Sequence, residues 1–115
     1  MAERRRRNLH STQANYLKSE IEGGSLIRKK QALQQVCKLY RNGVTLQNDD
    51  RVSIEIAILG VLSSASSDEK VRRWALAALA YIGRRDVSRN AVVRALADYP
   101  NEPQVLAAAI ATLFK

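Results

Sequence analysis

The 115-residue sequence is short of the side chains that build catalytic or metal sites, since it has one histidine and one cysteine. The single cysteine, Cys37, excludes an internal disulfide. Cys37 and His10 together supply too few ligands for a structural zinc site. We expect Cys37 to pack among apolar neighbours and His10 to be solvated near a helix start. There is no Gly-rich phosphate loop and no Gly-x-Ser-x-Gly turn. The sequence therefore predicts no enzyme, no metal and no cofactor.

Prolines, glycines and aromatic residues are also few, at two, five and about 5% of the chain, and the apolar residues are mostly Ala and Leu. This profile favours close-packed helices over a sandwich or barrel, and it argues against low-complexity disorder beyond the ends. The longest apolar run, residues 74–82, is too short to cross a bilayer, and no apolar stretch follows the basic start as in a secretory signal. We expect a cytoplasmic, all-α protein without a membrane span.

The formal charge of +8 is unevenly distributed along the chain. Residues 1–43 hold 10 Lys/Arg against 3 Asp/Glu, whereas residues 44–115 hold 9 against 8. Such a basic region can attract nucleic acid, an anionic membrane surface or an acidic protein, and charge alone does not choose among them. We predict a basic flexible arm over residues 1–10 and a helical domain over 11–115. The candidate basic patch comprises Arg4, Arg5, Arg6, Arg7, Arg28, Lys29, Lys30, Lys38 and Arg41.

Hydrophobic spacing predicts six helices, or five with a disordered start, and no sheet. The first covers about residues 12–22 and ends at two glycines, and Ser25 can cap the second, over about 26–41. Ser66 and Glu69 have the spacing of a capping box, in which each side chain bonds the other's backbone N–H. The helices after the third are predicted over about 71–82, 87–98 and 102–115.

Residues 52–62 are ambiguous, because their apolar residues alternate as in a strand and also fit helical spacing. We predict a helix, since Asn48, Asp49 and Asp50 place caps and negative charge at its start and no other segment offers a strand partner. The acidic pairs 49–50 and 68–69 both precede predicted helices. We therefore expect them to satisfy helix N–H groups rather than to act as acid and base.

The chain resembles itself at a period of tens of residues. Alanine allows helices to approach closely, and larger apolar side chains one turn away fill the groove between them. Because a helix pair cannot bury both its faces alone, such a repeat predicts stacked pairs. A shift of 43 matches Ala32, Leu33, Val36 and Leu39 with Ala75, Leu76, Leu79 and Ile82, and a shift of 34 matches Val71, Ala75, Leu76 and Leu79 with Val105, Ala109, Ile110 and Leu113.

Residues 68–83, DEKVRRWALAALAYIG, resemble the HEAT-repeat signature, in the short HEAT-like form named for phycocyanobilin lyases. That signature has an acidic residue, then Val-Arg, Ala-Leu, Leu and Ile-Gly. The match is good here, partial over 101–115 and weak over 25–65. The resemblance implies an α-solenoid of stacked antiparallel helix pairs, a HEAT/armadillo-like superhelix fragment. Some HEAT-like proteins are alkylpurine DNA glycosylases, but no constellation of residues in this sequence supports that activity.

The function that we expect is a non-catalytic scaffold that binds a protein partner through a helix-lined face. The alternative is a nucleic-acid-binding solenoid that uses the basic N-terminal third against phosphates. Residues 28–30 span nearly a whole helical turn, so their side chains do not form one stripe. They can be an ordinary solvated face or part of a binding patch. We expect Arg72 or Arg73 to bond a neighbouring carboxylate or helix end, and Trp74 to lie on the packed side of its helix.

The last predicted helix is apolar on more than one face, and no polar closing helix follows it. The final repeat of a solenoid normally has a polar outer face, and an uncovered apolar patch usually marks an interface. We expect this end to be a point of truncation that further repeats cover, or to associate with a second copy of the chain. The candidate interface residues are Val105, Leu106, Ile110, Leu113 and Phe114.

Overall fold

The computed structural model describes residues 7–64, 67–84 and 86–113, and this part of the chain is almost entirely helical. The prediction of an all-α protein is confirmed. Residues 52–62, whose spacing also fitted a strand, lie in a helix. The six helices are α1 (Ser11–Gly23), α2 (Leu26–Arg41), α3 (Asn48–Ser63), α4 (Glu69–Ile82), α5 (Asp86–Asp98) and α6 (Pro103–Leu113).

Two short strands correct the prediction that the chain has no sheet and that its first ten residues form an arm. β1 (Arg7–Asn8) pairs in parallel with β2 (Val44–Thr45), which follows α2 after a turn at Gly43, where φ is +80°. The Leu9 N–H donates to the Thr45 carbonyl at 2.7 Å, and the Leu9 side chain is buried. The chain from Arg7 onward therefore belongs to the folded domain, while residues 1–6 lie outside the described part. Two-residue strands are too short to show alternation in a sequence.

In the described chain, three helix starts are capped by side chains. Ser25 caps α2 as predicted and accepts a hydrogen bond from the Arg28 N–H at 3.3 Å. His10 caps α1, and its Nδ1 accepts a hydrogen bond from the Thr12 N–H at 3.2 Å, which agrees with a solvated histidine near a helix start. Asp68 caps α4 and accepts from the Val71 N–H at 2.8 Å. The predicted capping box is therefore wrong in its first residue, since the cap lies two positions after Ser66, which is outside the described residues.

The predicted capping at the start of α3 is also wrong. The helix begins at Asn48, and its N-cap, Gln47, makes no side-chain capping bond. Asp49 and Asp50 lie in the first turn, where their charge favours the helix dipole. The hydroxyl of Ser11 donates to Asp50 at 3.1 Å, so this carboxylate also joins the starts of α1 and α3.

The helices pack in a regular order. The odd helices contact one another in sequence (α1 with α3, α3 with α5), and the even helices do the same (α2 with α4, α4 with α6). Each odd helix also contacts the even helix that follows it. Because α4 touches α2, α3 and α6, it has to be apolar on several sides, and Ala75, Leu76 and Ala78 are fully buried.

One carboxylate, that of Glu55 in α3, is fully buried. It accepts hydrogen bonds from the Arg84 N–H at 3.1 Å, from the Ser88 hydroxyl and from the Arg51 guanidinium at 3.3 Å. Arg51 also donates to the Ile82 carbonyl at 3.0 Å. These bonds meet the cost of burying a charge, and they join α3 to the end of α4 and the start of α5.

Candidate interaction surfaces

The predicted basic patch is divided by the structure, beginning with its central residues. The Lys29 ammonium donates to the carbonyls of Ile21 at 2.7 Å and Glu22 at 2.9 Å, so it stabilises the carboxyl end of α1. Arg28 lies 3.7 Å from Glu20, although its side chain is 68% exposed. Both residues thus contribute to the contact between α1 and α2.

The other residues of the predicted patch lie elsewhere. Lys38 and Arg41 lie in the last turn of α2. Arg41 is 13 residues from Arg28, about 20 Å along the helix axis. Arg7 is paired with Val44, close in sequence to the end of α2, so it lies nearer to Arg41 than to the start of that helix. The structure therefore forms no single cluster from this set, and Arg4, Arg5 and Arg6 lie outside the described residues.

Charge follows the packing order of the helices rather than the N-terminal third of the chain. The even helices together hold eight Lys/Arg and one Asp/Glu, whereas the odd helices hold four Lys/Arg and seven Asp/Glu. α2 has no acidic residue, α6 has no charged residue, and the one carboxylate of α4 is its first residue, Glu69. Since even helices pack against even helices, the structure collects positive charge on their side of the molecule.

Five of the basic side chains on the even helices form what we call the basic face. None of the five makes a salt bridge with another residue in the part of the chain that the structure describes. The three on α2 fall within about 80° of the helix circumference. Under the repeat shift of 43, Lys30 in α2 corresponds to Arg73 in α4, and these two helices pack against each other. The basic face comprises Lys30, Lys38, Arg41, Lys70 and Arg73.

Arg72, in contrast, is buried and makes the structural bonds that the sequence predicted. Its Nε lies 2.9 Å from Oε1 of Glu102, and its Nη2 bonds the second oxygen of the same carboxylate. It also donates to the carbonyl and hydroxyl of Ser67, and its guanidinium lies 4.3 Å from the Tyr99 ring centroid. The hydrogen bond to Glu102 raises the pKa of Arg72 above its ordinary value. Arg72 thus joins α4 to the segment before α6.

Trp74 is partly buried, packs against the core and borders an open groove of about 430 Å³ between α4 and α6. The Arg73 guanidinium lies 4.9 Å from the centroid of the Trp74 ring, in a cation–π contact. The prediction that Trp74 lies on the packed side is therefore right for part of the ring only. We call this the α4–α6 groove; its lining residues are Arg73, Trp74, Ala77, Gln104, Ala107 and Ala108.

The predicted apolar interface on α6 is smaller than expected. Val105 is fully buried, which corrects its assignment, because helical spacing places it with Ala109 on the side of α6 that faces its neighbours. Leu106 is partly buried. Ile110 and Leu113 are 49% and 37% exposed and remain as the patch, while Phe114 lies outside the described residues.

The repeat explains this exposure. Under the shift of 34, Ile110 and Leu113 correspond to Leu76 and Leu79 of α4, and both of these leucines are buried. A bond from the Thr112 hydroxyl to the Leu76 carbonyl, 3.0 Å long, fixes α6 against α4. The described chain places no helix on the far side of α6, so the same repeat positions are left uncovered there.

The structure places no candidate metal centre on the described residues, where no group of three His, Cys, Asp or Glu side chains could hold an ion. None of the described helices combines the length and the apolar composition that a membrane span needs. Cys37 is buried in the core, as predicted. Comparison of the chain with protein-family models, curated proteins and solved structures finds no match in any of the three.

Sequence reasoning did not identify Lys70 and Arg73 as part of a basic surface, nor Glu55 as a buried partner. The signal for the basic face was present, because the repeat assigns alternate helices to the same side of a stack. Adding the charges of alternate helices would have revealed it. The spacing of Arg51 and Glu55 is that of an i,i+4 pair, but no local signal marked the burial of Glu55, because its other two partners are 29 and 33 residues away.

Proposed function

We propose that the chain is a HEAT-like α-solenoid module that has no catalytic role and binds the phosphate backbone of a nucleic acid through the basic face. The packing order of odd and even helices supports the solenoid, since stacked antiparallel pairs give these contacts. Repeat positions 33 and 76 are both fully buried, which also supports it.

The segregation of charge between odd and even helices is the observation that carries this function. Phosphate neutralisation by Lys and Arg supplies most of the affinity of non-specific nucleic-acid binding. From Lys30 to Arg41 the basic face extends about 16 Å along α2, enough to contact more than one phosphate. The carboxylates that would repel phosphates lie mainly on the odd helices.

The residues between the basic side chains favour nucleic acid over an acidic protein. In α2, Gln31, Gln34 and Gln35 lie between Lys30 and Lys38. Glutamine donates hydrogen bonds to phosphate and sugar oxygens. The centre of a protein interface is instead depleted in lysine and enriched in aromatic and apolar anchors. From Lys30 to Arg41 the outer side of α2 therefore fits a polyanionic backbone better than it fits a protein, whereas its first turn exposes Ile27.

Charge reversal on the two sets of helices tests this function. The variant Lys38→Glu, Arg41→Glu, Arg73→Glu alters the basic face, and the matched control Lys18→Glu, Arg89→Glu, Arg94→Glu changes the net charge equally on odd helices. Fluorescence anisotropy with a labelled oligonucleotide at low salt should show a loss of more than about tenfold for the first variant and little for the control. The slope of log K against log salt should also become shallower in the first variant only.

Two results would oppose the proposal. Equal losses in both variants would mean that binding follows net charge and not the basic face. Displacement of the oligonucleotide by an equal concentration of polyglutamate would assign the basic face to acidic proteins instead.

One observation favours a second function, a protein contact at the end of the stack. Ile110 and Leu113 occupy repeat positions that are buried in α4, so a helix of the same kind fits against them. The opposite end exposes apolar side chains of α1 and α2, with Tyr16 at 64% and Ile27 at 66%. The occupant we propose is therefore a second copy of this chain, stacked so that its first helix pair covers α6.

A further inference from the structure

We propose that the α4–α6 groove binds an unpaired nucleobase, so that the nucleic acid held by the basic face is single-stranded. This inference rests on the function proposed above and specifies its ligand. It is carried by the coexistence, in one groove, of a cation–π pair, a hydrogen-bonding amide and a floor of small side chains.

The cation–π pair is formed by Arg73 and Trp74. The guanidinium lies 4.9 Å from the indole centroid, so charge and aromatic surface are held together at the groove wall. Unstacked bases bind by stacking on aromatic rings and on arginine guanidinium planes. Arg73 also belongs to the basic face, so a phosphate bound there keeps the adjoining base within reach of the groove.

The floor and rim of the groove suit a base rather than a bulky side chain. Ala77, Ala107 and Ala108 contribute only methyl groups, which keeps the space between α4 and α6 open. Gln104 is exposed at the rim, and its amide offers both a donor and an acceptor for a base edge. The Gln104 backbone N–H bonds the Glu69 carboxylate at 3.3 Å, which fixes this residue relative to α4.

Duplex DNA does not present the surface that this groove would contact. In a duplex the faces of the bases are stacked on one another, and only their edges are accessible in the grooves. A wall that works by stacking requires a base whose face is exposed, as in a single strand. The α4–α6 groove should therefore add affinity for single strands beyond the phosphate contacts that both forms share.

Trp74 makes the test direct, since it is the only tryptophan in the chain. An oligothymidylate should quench the fluorescence of Trp74, and it should bind about tenfold more tightly than a duplex of equal length. Ala107→Leu fills the groove without changing charge, and it should remove most of that preference. Ala97→Leu is the matched control, because Ala97 is equally exposed but lies on α5.

The outcomes separate the two proposals. Equal binding of single strand and duplex, with no quenching and no effect of Ala107→Leu, would contradict base binding in the α4–α6 groove. It would leave the proposal of phosphate binding by the basic face standing. Absence of binding to either form would overturn the proposed function itself. Trp74→Leu should reduce single-strand affinity about tenfold, and thermal melting by circular dichroism verifies that both groove variants fold.

Discussion

At the scale of single residues, the buried carboxylate of Glu55 connects three parts of the chain. It binds the Arg84 N–H and the Ser88 hydroxyl at the start of α5, and it pairs with Arg51, whose side chain is only 14% exposed. Arg51 in turn bonds the last carbonyl of α4. A buried pair of this kind contributes more to the uniqueness of the packing than to net stability, since each charge is costly to bury alone.

Removal of one member of this pair should destabilise the fold. Glu55→Ala leaves the Arg51 guanidinium buried without its carboxylate, and we expect a loss of about 3–5 kcal/mol in the free energy of unfolding. Urea denaturation followed by circular dichroism measures it. The double variant Arg51→Met, Glu55→Leu should recover only part of the loss, because neither charge remains buried but the Arg84 N–H and the Ser88 hydroxyl lose this acceptor. A single variant that unfolds at the same urea concentration as the parent would contradict this account of the core.

At the scale of the elements, α4 and α6 are successive versions of one helix. Val71 and Val105 are both buried, as are Ala75 and Ala109, which is what a shift of 34 requires. The largest differences are at Ile110 and Leu113, which are exposed where Leu76 and Leu79 are buried, and Thr112 is also less buried than Ala78. Apolar side chains at equivalent positions of α4 and α6 should therefore contribute different amounts to the free energy of unfolding.

Truncation of equivalent positions should have unequal effects. Leu76→Ala removes a fully buried side chain and should lower the free energy of unfolding by about 2–5 kcal/mol. Ile110→Ala, at the equivalent position of α6, removes a side chain that is half exposed and should cost clearly less, under about 1.5 kcal/mol. Thermal or urea unfolding of the two variants provides the comparison. Equal losses would show that the repeat alignment between α4 and α6 is wrong.

At the scale of the whole molecule, the even helices carry a net positive charge and the odd helices a net negative one, and α1, α2 and α6 are among the helices that expose apolar residues. The first property supports a polyanionic ligand, and the second supports end-to-end association. The basic face and the patch of Ile110 and Leu113 share no member, although Ile27 at the opposite end lies on the same side of α2 as Lys30. Each can therefore be removed without the other.

Association through the end of the stack predicts a change in mass with concentration. Sedimentation equilibrium of the parent chain should detect dimers or longer species at high concentration. Ile110→Glu with Leu113→Glu should give a monomer, since two carboxylates cannot be buried in an apolar contact. Ile56→Glu with Val87→Glu adds the same charge at equally exposed positions on α3 and α5 and should leave association unchanged. A parent chain that remains monomeric would rule out the second copy as the occupant.

The sequence by itself determined the helices, because their periodicity, stop signals and repeat are local properties of the chain. The bounds of α2 agree with the prediction at both ends, and the residues of α1 expected on one face, Ala14, Leu17 and Ile21, are all buried. The burial of Cys37 was also predicted, and one of Arg72 and Arg73 was expected to bond a carboxylate or helix end, as Arg72 does.

Only the tertiary structure decided which distant segments become neighbours. The pairing of β1 with β2 joins residues 37 apart, and it turned part of the expected arm into a piece of the folded domain. The basic face combines charges from α2 and α4 that are separated in sequence by an acidic helix, α3. The burial of Val105 and the exposure of Ile110 depend on which neighbours α6 has. Local spacing gives a helix its faces, but the neighbours of each face are set by how the whole chain packs.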